Sequence, residues 1–436
     1  MATPRTFRLH ELGCKVNQWE GQWFREGLRA LGLKEAGADE SADIFVVNSC
    51  SVTESGGSKS RHSVRHFVRR NPDAKVLVTG CYAESDRDIV EALPGVVRTF
   101  GNQEKAGIVP WVARSLMGMD GELPELPKGI SEFAGHTRAF VKIQDGCRDN
   151  CSFCIIPSLR GEIVSRPHAE IVAEVERLVA SGYKEVVLTG VHLGYFGWDR
   201  NEKNAVYDLL QDLAAVDGLK RLKVSSIEVH EITEELVDLF ASSDVFVPHF
   251  HLPLQAGSNE VLRIMRRKYS VERFRTAVAM LRDRLGTPAL TTDLIVGHPG
   301  ETEETFEESM AFCQEMDFCK MHIFPYSPRQ NTRAAAMTNH VHDAEISRRK
   351  KVAADLDDAM ALAFRQRFLG QTVPVLVEER ARLSGGLLTG LSDRFMRVDF
   401  AGSSELMNQI VPVRLDNVEE DRVIGTRVLD GITETV

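Results

Sequence analysis

Residues 139–154 read AFVKIQDGCRDNCSFC, and the interpretation of the whole chain starts from this stretch. Its first six residues form a short apolar run typical of a buried strand. The loop that follows carries Cys147, Cys151 and Cys154 with the spacing C-x3-C-x2-C. Three soft thiolates on one loop can hold three irons of a cubic iron–sulfur cluster and leave the fourth iron open. Zinc is the alternative, but a structural zinc site needs a fourth ligand, and no histidine or further cysteine lies close by in the sequence.

The composition is that of an ordinary globular protein. The chain has 436 residues, 43% of them hydrophobic and 27% charged, which argues against disordered and fibrous proteins and suggests two to four domains. The net charge of −10 excludes a generally basic nucleic-acid binder, so any RNA must be bound by a local patch. We find neither a run of about 20 apolar residues nor a secretory signal, and we expect a cytoplasmic protein without a membrane partner. In a reducing compartment the eight cysteines are better interpreted as free thiols, metal ligands or catalytic groups than as disulfides.

Around the cysteine loop, strand and helix patterns alternate. Six candidate strands separated by helical patterns lie at 139–144, 185–189, 222–227, 247–252, 290–296 and 319–324. Six βα units are too few for a closed eightfold barrel, so residues 136–366 predict an open, partial TIM barrel of the (βα)6 type. Its active site should lie in the loops at the carboxyl ends of the strands.

The first 118 residues predict a separate parallel α/β domain, and residues 119–135, rich in glycine, proline and acids, predict a linker. Strands are expected at 6–12, 43–48, 75–79 and 96–100, and helices at 18–31, 58–70 and 83–93. Cys14, Cys50 and Cys81 each follow one of these strands. Because the carboxyl ends of parallel strands meet at one edge of a sheet, the three thiols should gather there. The alternative is three unrelated cysteines that are buried for packing.

Residues 367–436 have a different character and predict a small β-barrel. Short strands with turn residues between them are expected at 373–377, 386–389, 394–399, 410–413 and 423–429. The segment carries eight arginines, no lysine and eleven acidic residues, which makes it a poor phosphate binder. Arg394 and Arg397 are its candidates for contact with RNA.

The loop at 147–154 resembles that of the radical S-adenosylmethionine (SAM) enzymes, with Phe153 as the aromatic residue of C-x3-C-x-aromatic-C. The resemblance implies a [4Fe-4S] cluster whose open iron binds the amino and carboxylate groups of SAM. Electron transfer would then cleave SAM to methionine and a 5′-deoxyadenosyl radical, which abstracts a hydrogen atom. The loop residues that would line the SAM site are Gly190, Glu228, Gln255, Ser258 and Asp293.

A three-cysteine α/β domain before such a core, with a small β-barrel after it, resembles the methylthiotransferases over essentially the whole chain. The resemblance implies that Cys14, Cys50 and Cys81 hold a second [4Fe-4S] cluster, which carries the sulfur that is methylated and inserted. It also implies that the barrel is TRAM-like and helps to bind the substrate. The reaction needs an electron donor and a sulfur donor as partners, and the sequence identifies neither.

Short motifs separate the branches of this family. Residues 12–18 (LGCKVNQ) are similar to the branch that acts on threonylcarbamoyladenosine at tRNA position 37. The isopentenyladenosine branch usually has Gln-Met-Asn after the first cysteine, and the branch that acts on a ribosomal-protein aspartate has Pro-Lys-Asn. Residues 48–53 (NSCSVT) and 78–83 (VTGCYA) also resemble the first branch, although serine stands at 49 and 51 where threonine is more frequent.

One predicted helix carries a concentration of basic residues. The candidates for binding RNA phosphates on this helix are Lys59, Arg61, Arg65, Arg69 and Arg70. The alternative is a solvated helix face. A second basic patch at 263–268 is equally ambiguous.

We therefore predict a tRNA methylthiotransferase that replaces the C2 hydrogen of N6-threonylcarbamoyladenosine in the anticodon loop. Isopentenyladenosine at position 37 and a ribosomal-protein aspartate are the alternative substrates within the family. An RNA-binding protein without catalytic chemistry and a zinc-containing hydrolase are alternatives from other classes.

Overall fold

The computed structural model describes residues 4–37, 39–51, 54–381, 386–419, 421–429 and 432–433. Val52 and Thr53 of the motif at 48–53 therefore lie outside the described residues. Within the described part of the chain, no helix combines the length and the apolar character needed to cross a membrane.

Five parallel strands form the first sheet, in the order β2-β1-β3-β4-β5. They are β1 (Thr6–Glu11), β2 (Lys34–Glu35), β3 (Ile44–Ser49), β4 (Lys75–Gly80) and β5 (Val96–Thr99). The helices are α1 (Lys15–Ala30), α2 (Glu54–Arg70), α3 (Cys81–Ser85), α4 (Arg87–Glu91) and α5 (Ile108–Trp111). Successive strand residues point to opposite faces: Ile44 and Val46 pack with α1 and α5, whereas Phe45 and Val47 pack with α2. Both faces of the sheet are covered, as is usual for parallel sheets.

The structure differs from the sequence-based expectations at two points of this region: one predicted helix was wrong, and one short strand was not predicted. The single helix expected over residues 83–93 is two short helices, broken at Asp86, where φ is −134° and ψ is 45°. The Ser85 hydroxyl donates to the Asp86 carboxylate at 2.5 Å, and such short polar side chains compete with helical backbone bonds. The edge strand β2 was not expected, because two residues carry no alternating pattern.

The central region contains seven strands: β6 (Arg138–Asp145), β7 (Val164–Ser165), β8 (Glu185–Gly190), β9 (Arg221–Val224), β10 (His249–His251), β11 (Ala289–Val296) and β12 (Lys320–Pro325). Its helices are α6 (Ile156–Arg160), α7 (His168–Ala180), α8 (Ala205–Ala214), α9 (Glu234–Ala241), α10 (Asn259–Ile264), α11 (Val271–Leu285), α12 (Glu303–Met316) and α13 (Asp343–Gln366). Strands β6, β8 and β9 pair in parallel, with β7 at their edge, and β10, β11 and β12 form a second parallel group.

Isolated parallel bridges, Leu222 to Phe246 and Ser226 to His251, join these two groups into one arc of six strands. Among the described residues, no pairing connects β12 back to β6. The arc is therefore open, and the predicted (βα)6 partial barrel is confirmed. One continuous apolar core fills it and extends under the surrounding helices.

The last strands are β13 (Thr372–Arg380), β14 (Leu388–Ser392), β15 (Arg397–Phe400), β16 (Ile410–Glu419), β17 (Arg422–Leu429) and β18 (Ile432–Thr433). A parallel pairing of β15 with β17 closes β13 to β17 into a five-stranded barrel, as expected. Its interior is apolar, and Phe364 and Phe368 at the end of α13 pack against it. The domain limits proposed at 118, 136 and 366 lie between the three assemblies and stay a prediction.

Candidate active site

Three cysteines lie at the carboxyl ends of three neighbouring strands. Cys14 follows β1, and Cys50 and Cys81 come directly after β3 and β4, which lie side by side with β1 in the sheet. Neighbouring strands are about 4.8 Å apart, so all three segments reach the same sheet edge within two strand spacings. The structure therefore brings these three cysteine-bearing loops together, in agreement with the topological argument.

Glycines allow these loops to approach one another closely. A Cβ on Gly13 would lie 2.6 Å from the Cys50 sulfur, and a Cβ on Gly80 would lie 2.3 Å from the Ser49 carbonyl oxygen. The φ angles of Gly13 and Gly80, +96° and +93°, are ones that other residues rarely adopt. Glycine is therefore required at both points where a neighbouring loop meets the Cys50 segment.

The other three cysteines lie on one loop after β6. Gly146, with φ of +78°, turns the chain into this loop, and a Cβ there would lie 1.9 Å from the Glu162 carbonyl oxygen. Cys147, Cys151 and Cys154 are all partly exposed. Burial raises the pKa of Cys147 to about 12 and that of Cys154 to about 11. The free thiols are thus protonated at neutral pH, and metal binding must displace those protons.

Asp149, between two of these cysteines, is held by three side chains. The Tyr195 hydroxyl donates to its carboxylate at 2.5 Å, His192 Nε2 lies 3.1 Å away, and the Lys268 ammonium contacts it as well. Burial alone would raise the pKa of this carboxyl, but these contacts bring it below its usual range. The cysteine loop is thereby attached to the loop after β8. Asp149 was not predicted from the sequence, where its only signal is an acidic residue inside a cysteine loop.

Arg267 also contacts the cysteine loop, from the α10 side of the arc. Its Nη1 donates to the Cys151 sulfur at 3.2 Å, and its Nη2 donates to both oxygens of Glu228 at 2.5 Å. Glu228, a predicted SAM-contacting residue, is therefore linked to a predicted iron ligand through one guanidinium. Arg267 and Lys268 are the members of the basic patch at 263–268 that face this site.

The remaining predicted SAM-contacting residues are distributed over strands and loops of the central region. Gly190 ends β8, Gln255 and Ser258 follow β10, Asp293 lies in β11, and Phe153 is on the cysteine loop. Ser258 is buried, and its hydroxyl has no hydrogen-bond partner among the described residues. The Gln255 backbone N–H donates to the Asp293 carbonyl oxygen at 2.8 Å. In the described part of the chain, no side-chain hydrogen bond or ion pair joins Ser258 or Gln255 directly to the cysteine loop.

Helix α1 carries the first cysteine group onto the central barrel. Cys14 is its N-cap residue. Trp19, on the same helix, packs into the apolar core of the barrel, and its indole N–H donates to Glu174 at 2.7 Å. The helix that begins at one cysteine group is thus anchored in the domain that holds the other.

Buried and partly buried charged residues lie on and beside α1, and we call them the charge cluster: Glu20, Lys105, Lys142, Asp145 and Arg160. Arg160 Nη1 lies 3.0 Å from Glu20 and 3.0 Å from Asp145. Lys142 lies 2.9 Å from Glu20 and 2.5 Å from Asp145, and Lys105 contacts Glu20. Burial alone would raise the pKa of Glu20, but the neighbouring cations bring it well below its usual range.

The charge cluster connects the backbones of both cysteine groups. Arg160 Nη2 donates to the Asn17 side chain at 2.6 Å. The Asn17 amide in turn donates to the Leu12 and Ser49 carbonyl oxygens at 2.7 and 2.9 Å. Leu12 and Ser49 precede cysteines of the first group, and Asp145 precedes the cysteine loop of the second. These polar contacts therefore hold the two cysteine groups in one relative position.

The donor groups suit iron–sulfur clusters better than a single ion. Among the described residues, no three His, Cys, Asp or Glu side chains come close enough to hold one metal ion. Each cysteine group offers three thiols, the usual ligands of such clusters, and a multi-atom cluster accepts thiols that are farther apart than the ligands of one ion. A zinc site, with four donors around one point, has no counterpart in the described residues.

Two cavities differ in their position relative to the cysteines. The larger, about 750 Å³, lies at the amino ends of β8 and β9, against the small β-barrel. Barrels of this type have their active site at the opposite end, where the carboxyl ends of the strands lie. A cavity of about 400 Å³ is lined by Ser51, Tyr82 and Ile155, each directly after a cysteine of a different loop. Of these two cavities, the one of about 400 Å³ therefore adjoins the cysteine loops.

Most of the predicted RNA-binding residues are exposed on α2: Lys59, Arg65, Arg69 and Arg70. Arg70 lies 3.5 Å from Asp39 in an exposed pair. Arg61 differs from the others, because it is partly buried and lines the 400 Å³ cavity.

Two sequence profiles match the chain: the Radical SAM superfamily over residues 141–313 and the uncharacterized protein family UPF0004 over residues 6–101. The threonylcarbamoyladenosine tRNA methylthiotransferase MtaB of Bacillus subtilis is 36% identical, over 94% of this chain and 93% of that protein. The protein of the same name from Chlamydia pneumoniae is 39% identical, over 96% and 97%. A tRNA-2-methylthio-N(6)-dimethylallyladenosine synthase of Chloroflexus aurantiacus is 34% identical, over 98% and 93%.

Among solved structures, the chain resembles the radical S-adenosylmethionine methyltransferase TsrM from Kitasatospora setae, with a TM-score of 0.56. The match covers 76% of this chain and 77% of that one at 16% identity, so it shows the fold alone. The full-length similarity to the sequence relatives goes further. By that similarity, the chain belongs to the family of radical SAM methylthiotransferases.

Proposed function

We propose that this protein adds a methylthio group to C2 of N6-threonylcarbamoyladenosine at position 37 of tRNA. Four relatives named for this activity are 33–39% identical to the chain and match 85–97% of it. The observation that carries the proposal is the pair of cysteine groups, which α1 and the charge cluster hold in one relative position. An enzyme that activates a C–H bond at one centre and supplies sulfur from another needs such an arrangement.

Cys147, Cys151 and Cys154 would hold one [4Fe-4S] cluster, and Cys14, Cys50 and Cys81 would hold a second. When bound, the first would supply the electron that cleaves SAM, and the second would supply the sulfur that is methylated and transferred. Around the first site, Arg267 donates to the Cys151 sulfur, and Asp149 fixes the loop backbone. These contacts orient the thiols before any cofactor binds.

The SAM-contacting role predicted for the strand-end residues is part of this proposal. Ser258 offers a buried hydroxyl that no described residue uses. Glu228 already accepts two hydrogen bonds from Arg267, so we assign it the role of orienting that guanidinium. Phe153, Gly190, Gln255 and Asp293 would line the rest of the SAM site.

The exposed basic face of α2 would contact phosphates of the tRNA anticodon arm. The small barrel offers less for this purpose, because Arg394 pairs with Asp393 and Arg397 lies 3.4 Å from Glu378. A tRNA substrate and a requirement for reduced thiols support a cytoplasmic location, where the enzyme would meet its electron and sulfur donors.

The cofactor assignment is tested by iron content and SAM cleavage. Anaerobically reconstituted protein should bind about eight irons per chain, four in each cluster. Changing Cys147, Cys151 and Cys154 together to alanine should leave about half of that iron and abolish SAM cleavage. Unchanged SAM cleavage would reject the role given to this loop.

The substrate is tested with tRNA that carries a single modified nucleoside at position 37. We expect the reconstituted enzyme to convert threonylcarbamoyladenosine to its methylthio derivative, detected by mass spectrometry of the nucleosides. tRNA with dimethylallyladenosine at the same position should remain unmodified. The reverse pattern would reject the proposed substrate and favour the other tRNA branch.

A further inference from the structure

The cavity beside the cysteine loops is lined by two arginines that the proposed function has not yet used. Besides Ser51, Tyr82 and Ile155, its lining includes Arg61 and Arg329. Its volume of about 400 Å³ is within the range of small-ligand sites. A group bound there lies next to loops of both cysteine groups.

Arg61 is placed in this cavity by a close packing of α2 against the Cys81 loop. A Cβ on Gly57 would lie 2.7 Å from the Tyr82 ring, so the glycine lets the buried ring lie against the helix. Arg61 is four residues further on, on the same face of the helix. Its Nη1 donates to the Tyr82 hydroxyl, and its guanidinium carbon lies 5.5 Å from the ring centroid.

The guanidinium of Arg61 keeps donors available for a ligand. A guanidinium has five N–H donors, and Tyr82 accepts from one nitrogen of Arg61. Among the described residues, no carboxylate forms an ion pair with it. The acidic residues of the cavity have other partners: Glu84 accepts from the Asn102 backbone N–H at 2.8 Å, and Asp86 accepts from the Ser85 hydroxyl at 2.5 Å.

The proposed substrate carries the group that such a cation binds. The threonylcarbamoyl substituent ends in a carboxylate, whereas a dimethylallyl substituent is uncharged and apolar. In adenine, C6, which bears the substituent through N6, is separated from C2 by a single ring atom. The carboxylate must therefore lie close to the reacting carbon, which restricts its binding site to the surroundings of the two cysteine groups.

We propose that Arg61 binds the carboxylate of the N6 substituent and thereby selects threonylcarbamoyladenosine over adenosines with an uncharged substituent. The inference rests on the proposed function and names the determinant of its substrate. Arg61 is then a specificity residue within the cavity, distinct from the exposed cations of α2 that would meet phosphates.

The test uses anticodon stem-loop RNAs that carry threonylcarbamoyladenosine or its carboxylate methyl ester at the position of the target nucleoside. The ester keeps the size and shape of the substituent and removes its charge. Reconstituted wild-type enzyme should have a kcat/KM about 10- to 100-fold lower for the ester, which is the usual range for one charged hydrogen bond. Arg61→Met should lower kcat/KM for the acid by a similar factor and leave the ester nearly unchanged.

Two further variants separate selectivity from folding and from RNA affinity. Arg61→Lys keeps the charge and should retain part of the preference for the acid. Arg65→Met, one turn further along α2, should change kcat/KM for the acid and for the ester by the same factor, because a contact with phosphate does not depend on the N6 substituent. Iron content and circular dichroism, expected to match wild type, show that Arg61→Met is folded.

Equal rates of wild-type enzyme on the acid and the ester would overturn the inference, and this comparison requires no variant. It would also be overturned if Arg61→Met kept the preference for the acid over the ester. Lys15, directly after Cys14, is another cation close to a cysteine, and loss of the preference in Lys15→Met instead of Arg61→Met would likewise overturn the inference. In those cases the enzyme would still act on threonylcarbamoyladenosine, so the proposed function would stand. Activity on dimethylallyladenosine alone would reject the proposed function itself.

Discussion

Replacing Glu20 by glutamine would preserve the shape of the charge cluster and remove its central negative charge. Glu20 is 2% exposed and contacts all three cations of the cluster. In the variant, three buried cations would share one remaining carboxylate, that of Asp145. Breaking a buried ion pair from one side costs about 3–5 kcal/mol. Because Asp145 still pairs with Lys142 and Arg160, we expect a loss near the lower limit, about 3 kcal/mol.

The loss can be measured by urea unfolding of the cluster-free protein, followed by tryptophan fluorescence. Three of the four tryptophans, Trp19, Trp23 and Trp111, lie in the region that the charge cluster connects to the barrel. Glu315→Gln is a matched control, because it breaks an exposed pair with Arg275, and such pairs contribute little. A second substitution, Lys105→Met, should recover part of the stability lost in Glu20→Gln. If Glu20→Gln were no less stable than the control, the charge cluster would not hold the two regions together.

Three other features give predictions of their own. Burial lowers the pKa of Lys223 to about 7, so the unfolded chain binds more protons between about pH 7 and 10.4 and stability should rise with pH across that window. Lys223→Met should flatten this rise, and an identical urea-midpoint profile at pH 7, 8 and 9 would contradict it. Gly80→Ala should destabilise the protein more than Gly32→Ala in thermal unfolding, because both glycines have positive φ but only Gly80 faces backbone, at 2.3 Å from its added Cβ. Arg267→Met should give the Cys151-loop cluster a more negative midpoint potential in a titration monitored by electron paramagnetic resonance, since hydrogen bonds to sulfur help to set cluster potentials; an unchanged potential would show that this contact has no electronic effect.

Local sequence patterns were sufficient to predict most of the architecture. Short apolar runs predicted the strands, and their alternation with helices predicted both parallel assemblies. The position of Cys50 and Cys81 directly after strands was enough to place them at one sheet edge, because parallel topology determines where strand ends meet. The break at Asp86 was missed, since a single Ser-Asp pair outweighed an otherwise helical pattern.

Contacts between residues far apart in sequence could not be predicted. Glu20 and Arg160 are separated by 140 positions, and Cys151 and Arg267 by 116. Cys151 belongs to a recognisable motif, but Glu20, Arg160 and Arg267 are common charged residues, and no sequence signal connects any of the four with its partner. Only the packed structure shows that Arg267 belongs to the cysteine site and that neighbouring Arg266 is exposed. The sequence predicted where the thiols lie, and the structure adds what surrounds them.

Helix α1 begins at Cys14, bonds to the charge cluster through Asn17 and Glu20, and inserts Trp19 into the barrel core. The relative position of the two cysteine groups is therefore set largely within the first two turns of one helix. The connecting segment at 119–135 adds to this anchoring, since the Trp23 indole N–H donates to the Pro127 carbonyl oxygen and the Ile130 N–H donates to Glu174. Inserting one residue between Cys14 and Glu20 would rotate the first cysteine group away from the charge cluster.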